Sequence, residues 1–452
     1  MILKLLLIVV ILVIGYFLKK LIDLVRPDVN KIYYFKDKQG RVTIYHGVNV
    51  CNYSKYSPDF LPWHKDEDYA KLKKWGFNLV RFLIYWEAVE PEKDKYNLDY
   101  LKQVAEHIKT IGKYGVDVII DVHQDVYSKK YTGEGFPAWA INDEGKPFKI
   151  QKPWGYNYLQ PAVQTASKNF WNSTELKDSY IKMLGIVVAN LGDIDNVIGI
   201  DIMNEPFPKL PRIIHFERNI LTEFYSKAVA TLALSGFKKC IFFEPWMCTS
   251  TGAPTFLNLH TTIGKAVYFP HCYPPFCEGA KKYRAIDKFF FMLGLRIQAK
   301  EAQLFKSPLI YGEFALPQIV DGYLQFVRDF ITVGEKYLTS WAWWAYEMDT
   351  YDDTAILDKD KNEKEILSVL SHVYPQKIAG TNPKYSNEND FFRLEYETID
   401  TQDPTIVFVP ERYSCSVSSN MLFTQDGTTW LFRNSGVKKA KIEIYCWKKP
   451  QE

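Results

Sequence analysis

An α/β fold, and within that class a (β/α)8 TIM barrel, is predicted by two patterns in this 452-residue chain. Eight runs of β-branched and aromatic residues alternate with helix-like stretches between residues 43 and 372. The runs are nearly continuous in apolar residues, which is typical of parallel strands buried on both faces. No glycine-rich phosphate turn follows the first run, so the pattern does not favour a doubly wound sheet.

The predicted strands and helices alternate along the chain. Strands are predicted at 43–50, 78–86, 116–124, 197–205, 238–245, 266–273, 308–314 and 338–346. Helices are predicted at 66–75, 99–114, 174–191, 212–234, 287–305, 323–337 and 363–372. We expect these elements to form one barrel domain over residues 29–380.

The helical pattern stops after about Gly380. Short apolar runs separated by turn residues follow it, and these runs are typical of strands in an all-β module. The clearest of them lie at 391–396, 405–409, 429–434 and 441–447. We therefore expect a small C-terminal β-sandwich domain over residues 381–452, packed on the barrel.

An uncharged apolar segment occupies residues 5–18, between Lys4 and Lys19. As a helix it would span roughly 21 Å, which is shorter than the hydrocarbon core of about 30 Å. Residues 1–28 are therefore predicted to be a signal anchor or a signal peptide. No small-residue cleavage site follows the segment, which favours the uncleaved anchor.

The compartment is predicted from charges and sequons that point in different directions. Lys19, Lys20 and Arg26 follow the apolar segment, and the positive-inside rule would then leave the barrel in the cytoplasm. Two N-glycosylation sequons, at Asn52 and Asn172, instead suit a lumenal chain. We expect a membrane-associated or secreted protein on the lumenal or extracellular side, with a cytoplasmic orientation left open.

Charge and cysteine content exclude several classes of function. With 56 Lys and Arg against 53 Asp and Glu, the net charge of +3 predicts no nucleic-acid partner. The 7 cysteines contain no CxxC spacing, so no zinc site is expected. Cys272 with Cys277, and Cys415 with Cys446, are possible disulfides if the chain is exported. No protein partner can be predicted from the sequence.

Two glutamates end predicted strands at the rim where barrels of this kind carry their catalytic groups. Glu205 ends the fourth strand and Glu313 ends the seventh, so the two side chains should face each other across the barrel mouth. Glycoside hydrolysis with retention needs two carboxyl groups about 5–5.5 Å apart, one acting as acid/base and one as nucleophile. We assign the acid to Glu205 and the nucleophile to Glu313.

Other strand ends carry side chains that suit a sugar site. Asn204 could hold the sugar 2-hydroxyl, and Trp344 offers a flat apolar face to the ring. Tyr273 and His271 are expected to hydrogen-bond Glu313 and keep it ionised. Arg81, His123 and Asp125 lie at the ends of the second and third strands.

Each of these residues taken alone also has a purely structural interpretation. A strand-end glutamate is more often a solvated or salt-bridged carboxylate, His123 alone suits a core histidine, and Arg81 suits an ion pair. The ordered set of Asn-Glu-Pro, His-x-Tyr, Gly-Glu-Phe and Trp on strands four, six, seven and eight instead favours a glycosidase.

This ordered set resembles glycoside hydrolase family 5 and, within it, the endoglycoceramidases. The likeness runs from about Tyr45 into the tail. The stretches that carry it include NLVRFLIYWEAVEP at 78–91, DVHQDVYS at 121–128, YLQPAV at 158–163, DIMNEPF at 201–207, PHCYP at 270–274 and YPQKIAGTNP at 374–383.

The resemblance implies a retaining hydrolase, without a metal or organic cofactor, that cleaves the bond between the glycan and the ceramide of a glycosphingolipid. It implies Glu205 as acid/base and Glu313 as nucleophile. Ala315 departs from the family pattern, which has glycine there. The residues implied around the sugars are His123, Asp125, Asn204, Tyr273 and Trp344 for the first sugar, Lys55 and Trp154 further out, and an acidic residue at Glu278.

Two alternatives remain open at this point. One is a β-glucosidase of the same family acting on glucosylceramide or a steryl glucoside, and the other is an inactive protein that binds carbohydrate or lipid. Candidate apolar linings for a lipid chain lie at 242–247 and 289–295. The second stretch is equally compatible with a buried amphipathic helix.

Overall fold

The computed structural model describes residues 26–449 apart from 51, 153, 260–265, 275, 418–421 and 434–439. The apolar segment at 5–18 and most of the predicted signal segment at 1–28 lie outside the described residues. Within the described part of the chain, every helix is too short or too polar to cross a bilayer.

Eight parallel strands form a closed barrel, which confirms the predicted (β/α)8 fold. The strand order is β8-β7-β6-β5-β4-β3-β10-β9. The two ends of this sheet meet through parallel bridges that pair Tyr268 with Leu309 and Cys272 with Phe314. Strands β1 to β10 are Phe35–Lys36, Val42–Thr43, His46–Val50, Leu79–Tyr85, Asp117–His123, Val197–Asp201, Cys240–Phe243, Ala266–Tyr268, Ile310–Phe314 and Ser340–Trp343.

The barrel strands are buried along their length, as their apolar runs predict. Every position of β4 and all but the first of β5 are buried. Polar side chains on these strands, including Arg81 and Asp121, therefore lie inside the barrel, where they need charged or hydrogen-bonding partners.

The helices lie between the strands, as the alternating pattern predicts. Ser173 and Asn97 cap two of them by accepting backbone N–H groups of the first turn. Helix α4 was not predicted from the sequence. It begins at Pro161, and the first residue of a helix has no intrahelical partner for its N–H, so proline is tolerated there. Helices α1 to α11 are Asp66–Trp75, Trp86–Val89, Leu98–Gly112, Pro161–Asn172, Thr174–Leu191, Ile213–His215, Thr222–Leu234, Cys277–Ala280, Ala285–Leu304, Tyr323–Lys336 and Leu367–Leu370.

Two antiparallel sheets pack against each other in the C-terminal part of the chain, as the strand pattern predicts. Their orders are β1-β2-β11-β14-β17-β16 and β12-β13-β18-β15. Strands β1, β2 and β11 of the first sheet precede residue 380. This sheet therefore contains strands from both sides of the predicted domain boundary, and the boundary itself stays a prediction. Strands β11 to β18 are Tyr374–Ile378, Gly380–Glu388, Phe391–Thr398, Thr405–Phe408, Tyr413–Val417, Leu422–Asp426, Thr429–Arg433 and Lys441–Lys448.

The β-sandwich is joined to the barrel through a buried carboxylate. Glu335 of α10 accepts hydrogen bonds from the backbone N–H of Asn387 at 2.8 Å and from its side-chain amide at 2.7 Å. Burial, which outweighs these hydrogen bonds, raises the pKa of Glu335 to about 7.

The cysteines and sequons are placed by the same packing. Cys415 and Cys446 form the predicted disulfide between β15 and β18. The second predicted disulfide, between Cys272 and Cys277, is wrong, because Cys272 is a buried thiol that forms no disulfide. The Asn52 side chain is buried and donates to Asp352 at 2.7 Å, whereas Asn172 is exposed. Of the two sequons, only that at Asn172 is accessible to a glycan.

Candidate active site

The two predicted catalytic glutamates lie together at the carboxyl ends of β6 and β9. One oxygen of Glu205, one oxygen of Glu313 and one ring nitrogen of His271 all lie within 4.8 Å of one another. Inverting enzymes need about 6.5–9.5 Å between their carboxyl groups to admit a water, so the close pair has the spacing of a retaining enzyme.

Glu205 has the environment of a general acid. Its carboxyl group is largely buried and lies 2.9 Å from Nδ1 of His271. Burial and the nearby charge of Glu313 outweigh the effect of His271 and raise the pKa of Glu205 to about 7. A substantial fraction of Glu205 therefore carries a proton at neutral pH, which an acid catalyst requires.

The backbone of Glu205 is held in a conformation that costs free energy for a non-glycine residue. Its φ angle is +39°, in the left-handed region. The N–H of Glu205 donates to Oε2 of Glu244 at 2.8 Å. On the other side, the Gln124 side-chain amide donates to the carbonyl oxygens of Asn204 at 2.9 Å and Glu205 at 3.0 Å. These contacts from β5 and β7 hold the acid in place.

Glu313 is buried and accepts two strong hydrogen bonds, one at each oxygen. Arg81 donates to Oε1 at 2.6 Å and the Tyr273 hydroxyl donates to Oε2 at 2.8 Å. The predicted Tyr273–Glu313 hydrogen bond is therefore present. A charged donor and a hydroxyl donor both suit a carboxylate, which is the form that a nucleophile needs.

Arg81 lies completely buried below the carboxylate pair. Its guanidinium lies 2.6–3.0 Å from four carboxylates, those of Asp121, Asp201, Glu244 and Glu313. Because Arg81 is enclosed in this way, it holds Glu313 in position and has no surface for substrate. The predicted contact of Arg81 with substrate is therefore wrong.

His271 contacts both Glu205 and Glu313 through one ring nitrogen. Its Nδ1 lies 2.9 Å from Glu205 and 3.4 Å from Glu313, and its Nε2 lies 3.1 Å from Glu244. Burial opposes protonation, but the carboxylates of Glu244 and Glu313 outweigh it and raise the pKa of His271 well above its usual value. The predicted contact of His271 with Glu313 is present at 3.4 Å, but the shorter contact of His271 is with Glu205.

A second cluster of polar side chains lies around Trp344 at the barrel mouth. His123 stacks on the Trp344 ring with centroids 5.4 Å apart, and the Lys55 ammonium lies 4.9 Å above the same ring. Lys55 also bridges Asp125 at 3.2 Å and Glu134 at 2.7 Å. Four predicted residues, Lys55, His123, Asp125 and Trp344, are thus brought together.

The charges of this group depend on one another. Burial opposes protonation of His123, but Asp121 and Asp125 outweigh it and raise the pKa of His123 to about 9. Burial raises the pKa of Glu134 to about 7, despite Lys55. Burial also opposes the charge on Asp125, yet Lys55 and His123 outweigh it and lower its pKa. The carboxylates of Asp125 and Glu134 could hold a metal ion with His123, but the Lys55 ammonium already lies between them.

The remaining predicted residues take three positions. Asn204 is buried; its Oδ1 accepts from Arg81 at 2.8 Å and its Nδ2 donates to the carbonyl of Gln124 at 3.0 Å, which leaves one amide hydrogen for a sugar hydroxyl. Trp154 is exposed at the rim, edge-on to Tyr158, whose hydroxyl lies 3.3 Å from Asp125. The side chain of Glu278 lies outside the described residues.

Two buried carboxylates of the site, Glu244 and Glu134, are missing from the sequence prediction. Glu244 ends the fifth strand, where the strand-end rule applies, but the sequence interpretation treated residues 242–247 as an apolar lining. That interpretation is wrong for Phe242 and Phe243, which are buried in the barrel core. Glu134 lies in a loop, and only its backbone bridge to Asp125 brings it into the site.

A closed (β/α)8 barrel with a close pair of carboxyl groups at the ends of its fourth and seventh strands defines a retaining glycoside hydrolase. The model of the cellulase family, glycosyl hydrolase family 5, matches residues 37–349. The chain belongs to this family, which confirms the family assignment made from the sequence.

The comparisons with known proteins point to one branch of the family. The endoglycoceramidase of Hydra vulgaris is 24% identical over 94% of this chain and 89% of its own. The structure of endo-glycoceramidase II from Rhodococcus sp. with ganglioside GM3 is 25% identical, covers 92% of this chain and 99% of its own, and superposes with a TM-score of 0.84. The same protein has a structure described as a lactosyl-enzyme intermediate, with a TM-score of 0.83. A glucosylceramidase of Cryptococcus neoformans is 25% identical over 39% of this chain and 32% of its own.

Proposed function

We propose that this protein hydrolyses the β-glycosidic bond between the oligosaccharide and the ceramide of glycosphingolipids, with retention of configuration. The observation that carries the proposal is the Glu205–Glu313 pair, with one carboxyl group largely buried beside His271 and the other held by Arg81 and Tyr273. The endoglycoceramidase relatives, which match both the barrel and the β-sandwich, support the choice of substrate.

In the first half-reaction, Glu313 attacks the anomeric carbon of the glucose next to ceramide. The bond between that carbon and the glycosidic oxygen breaks, and Glu205 gives its proton to the departing oxygen. Trp344 supports the ring of the same sugar, and the free amide hydrogen of Asn204 is available to the 2-hydroxyl. The products are free ceramide and a glycosyl ester of Glu313.

In the second half-reaction, Glu205 acts as the base that takes a proton from water. Burial is the main reason why the pKa of Glu205 is raised, and the charge of Glu313 raises it further; this second contribution disappears when Glu313 becomes an ester. The pKa of Glu205 therefore falls after the first step, so that the residue is ionised when a base is needed. Water attacks the anomeric carbon, the ester bond breaks, and the oligosaccharide leaves with its original β configuration.

The polar group around Lys55 supports an oligosaccharide rather than a single glucose. Asp125, Glu134 and Lys55 lie beyond Trp344, and Trp154 is exposed further out on the same side. Charged hydrogen-bonding groups and an exposed aromatic face are what additional sugars need. The glucosylceramidase likeness covers less than half of this chain, so a β-glucosidase acting on glucosylceramide or a steryl glucoside is the second candidate.

We also propose that the protein works at a membrane surface, on the lumenal or extracellular side. The apolar segment at 5–18 and the exposed sequon at Asn172 support this location. Treating the full-length protein with an endoglycosidase tests it. A loss of mass that is absent in Asn172→Gln supports the location, and no loss in either protein contradicts it.

The substrate is tested by incubating the full-length protein with a ganglioside and with glucosylceramide in parallel. We expect ceramide and one intact oligosaccharide from the ganglioside, with slower release from glucosylceramide. Glu313→Gln serves as the inactive control. Release of ceramide from glucosylceramide alone, or of single sugars in sequence from the ganglioside, would favour the β-glucosidase. Ceramide from neither lipid contradicts both candidates.

A further inference from the structure

The loop after β8 and the first two turns of α9 expose a cluster of large apolar side chains. Phe276 is 55% exposed, Ile286 50%, Phe289 39% and Phe290 41%. The rings contact each other: Phe276 and Phe290 are edge-to-face at 6.2 Å, and Phe289 and Phe290 at 5.4 Å. We call these four residues the phenylalanine patch. Single exposed apolar residues are common on soluble proteins, but a contiguous group of them indicates an interaction surface.

The phenylalanine patch lies on the catalytic face of the barrel. Phe276 follows Tyr273, the hydrogen-bond donor to Glu313, by only three residues, a chain length of at most about 11 Å. Helix α9 follows its strand and runs back down the barrel, so its first two turns, with Ile286, Phe289 and Phe290, stand at the same face as the active site.

Four cations are exposed in the same stretch of the chain as the phenylalanine patch. Lys281, Lys282, Arg284 and Lys288 are all exposed within the same loop and first helical turn. Lys282 lies 3.1 Å from Asp321, Arg284 lies 2.8 Å from Asp287, and Lys288 lies 2.8 Å from Asp329, so most of this charge is balanced within the chain. Exposed aromatic side chains with lysines and an arginine in the same stretch of chain match a bilayer surface, where rings enter the interface and cations meet headgroups.

The other end of the same helix faces away from the active site. There the side chain of Gln303 accepts from the backbone N–H of Asp28 at 3.0 Å and donates to the Asp28 carbonyl at 2.7 Å. Phe289 and Gln303 are 14 residues apart, roughly 21 Å along a helix. Asp28, the last residue of the predicted signal segment, therefore lies on the side of the barrel opposite to the phenylalanine patch.

We infer that the phenylalanine patch docks the catalytic face on the lipid surface that holds the substrate. The inference rests on the proposed function, because only a membrane-embedded substrate gives the docking a purpose. The occupant is the bilayer surface itself, with anionic lipid strengthening the contact and salt weakening it. Docking brings the barrel mouth to the headgroup region, where the bond to ceramide lies.

The test compares full-length wild type with Phe289→Ser/Phe290→Ser and with Phe276→Ser. Leu304→Ser is the matched control, because Leu304 is 72% exposed at the opposite end of the same helix. Three substrates are used: ganglioside in phosphatidylcholine vesicles, ganglioside dispersed in detergent, and a water-soluble aryl β-lactoside. We expect the patch variants to lose about tenfold or more of the rate on vesicles, with rates on the other two substrates within about twofold of wild type. Leu304→Ser should match wild type throughout.

Each other outcome overturns the docking inference in a distinct way. Unchanged rates on vesicles mean that the patch does not dock. A loss on vesicles and in detergent, with the aryl lactoside unaffected, means that the patch holds the ceramide of a single substrate molecule. A loss on all three means that it belongs to the fold or the site, and a change in oligomeric state in the variants identifies a second copy as the occupant. A different result refutes the proposed substrate: the wild-type protein cleaves the aryl lactoside but cleaves ganglioside neither in vesicles nor in detergent.

A second measurement locates the contact directly. Hydrogen exchange of the wild-type chain is followed with and without vesicles that contain phosphatidylserine and no ganglioside. We expect slower exchange in peptides that cover residues 276–290, and less slowing at high salt. Protection confined to other parts of the chain, such as the loop at 150–159, which exposes Ile150 and Leu159, would contradict the inference.

Discussion

The backbone N–H of Glu205 donates to the buried carboxylate of Glu244 at 2.8 Å, while the other oxygen of Glu244 lies 3.1 Å from the ring of His271. The acid is therefore held at its backbone by Glu244 and contacted at its carboxyl group by His271. One carboxylate at the end of β7 thus fixes both the left-handed conformation of Glu205 and the charge of its partner.

Glu244→Gln tests this positioning role. Glutamine keeps the volume but removes the charge that keeps His271 protonated, and its amide can reverse the hydrogen bond to Glu205. We expect kcat to fall by about tenfold to a hundredfold, with KM changed by less than about threefold. The pKa of His271 should fall toward its usual value, observable by NMR of the ring.

Glu335→Gln, which alters a buried carboxylate at the β-sandwich contact, is the matched control and should keep wild-type kcat. A kcat for Glu244→Gln within twofold of wild type would refute the role.

The pH dependence of the rate should report the ionisation of Glu205. Because Glu205 must be protonated in the first step and its pKa is raised to about 7, kcat/KM is expected to fall as the pH rises through about 7. In Glu205→Ala this alkaline limb should disappear for an aryl glycoside whose leaving group needs no proton, while turnover of glycolipid is lost. An alkaline limb that survives in Glu205→Ala would assign it to another group.

The carboxylate at the β-sandwich contact gives a prediction about stability. Glu335 has a pKa of about 7 in the folded protein against an ordinary value of 4.5, so folding binds its proton more tightly. The associated stability is fully present below about pH 4.5 and is lost as the pH rises through about 7, a change on the order of 3 kcal/mol. Between pH 5 and pH 8 we expect the melting temperature of wild type to fall more than that of Glu335→Gln. Parallel pH dependence in the two proteins would contradict this.

The strands of the barrel were predictable because each is a long apolar run, and the two catalytic glutamates because they end such runs. The predictions for Tyr273 and Trp344 rest on the same rule. Glu244 also ends a strand, but its apolar neighbours Phe242 and Phe243 concealed it. Glu134 comes from a loop, where no periodicity marks a residue. The enclosure of Arg81 by four carboxylates depends on contacts between β4, β5, β6, β7 and β9, which sequence spacing does not encode.

The boundary of the β-sandwich illustrates a similar limit. Strands β1 and β2 are two residues each, too short for an alternating pattern, and they join the sheet only through β11. Strands more than 300 residues apart pair only in the packed structure. The sequence pattern of the C-terminal tail alone therefore leaves β1 and β2 in the barrel domain.

The central claim is that Glu313 is the nucleophile of a double displacement, and trapping the covalent intermediate tests it most directly. The protein is incubated with an activated 2-deoxy-2-fluoro-β-lactoside. Its fluorine slows both steps, but its good leaving group speeds the first, so the glycosyl-enzyme accumulates. We predict a mass increase of one fluorolactosyl group, located on the peptide that contains Glu313, and no increase in Glu313→Gln. A label on another residue, or turnover to product without any covalent species, would contradict the account.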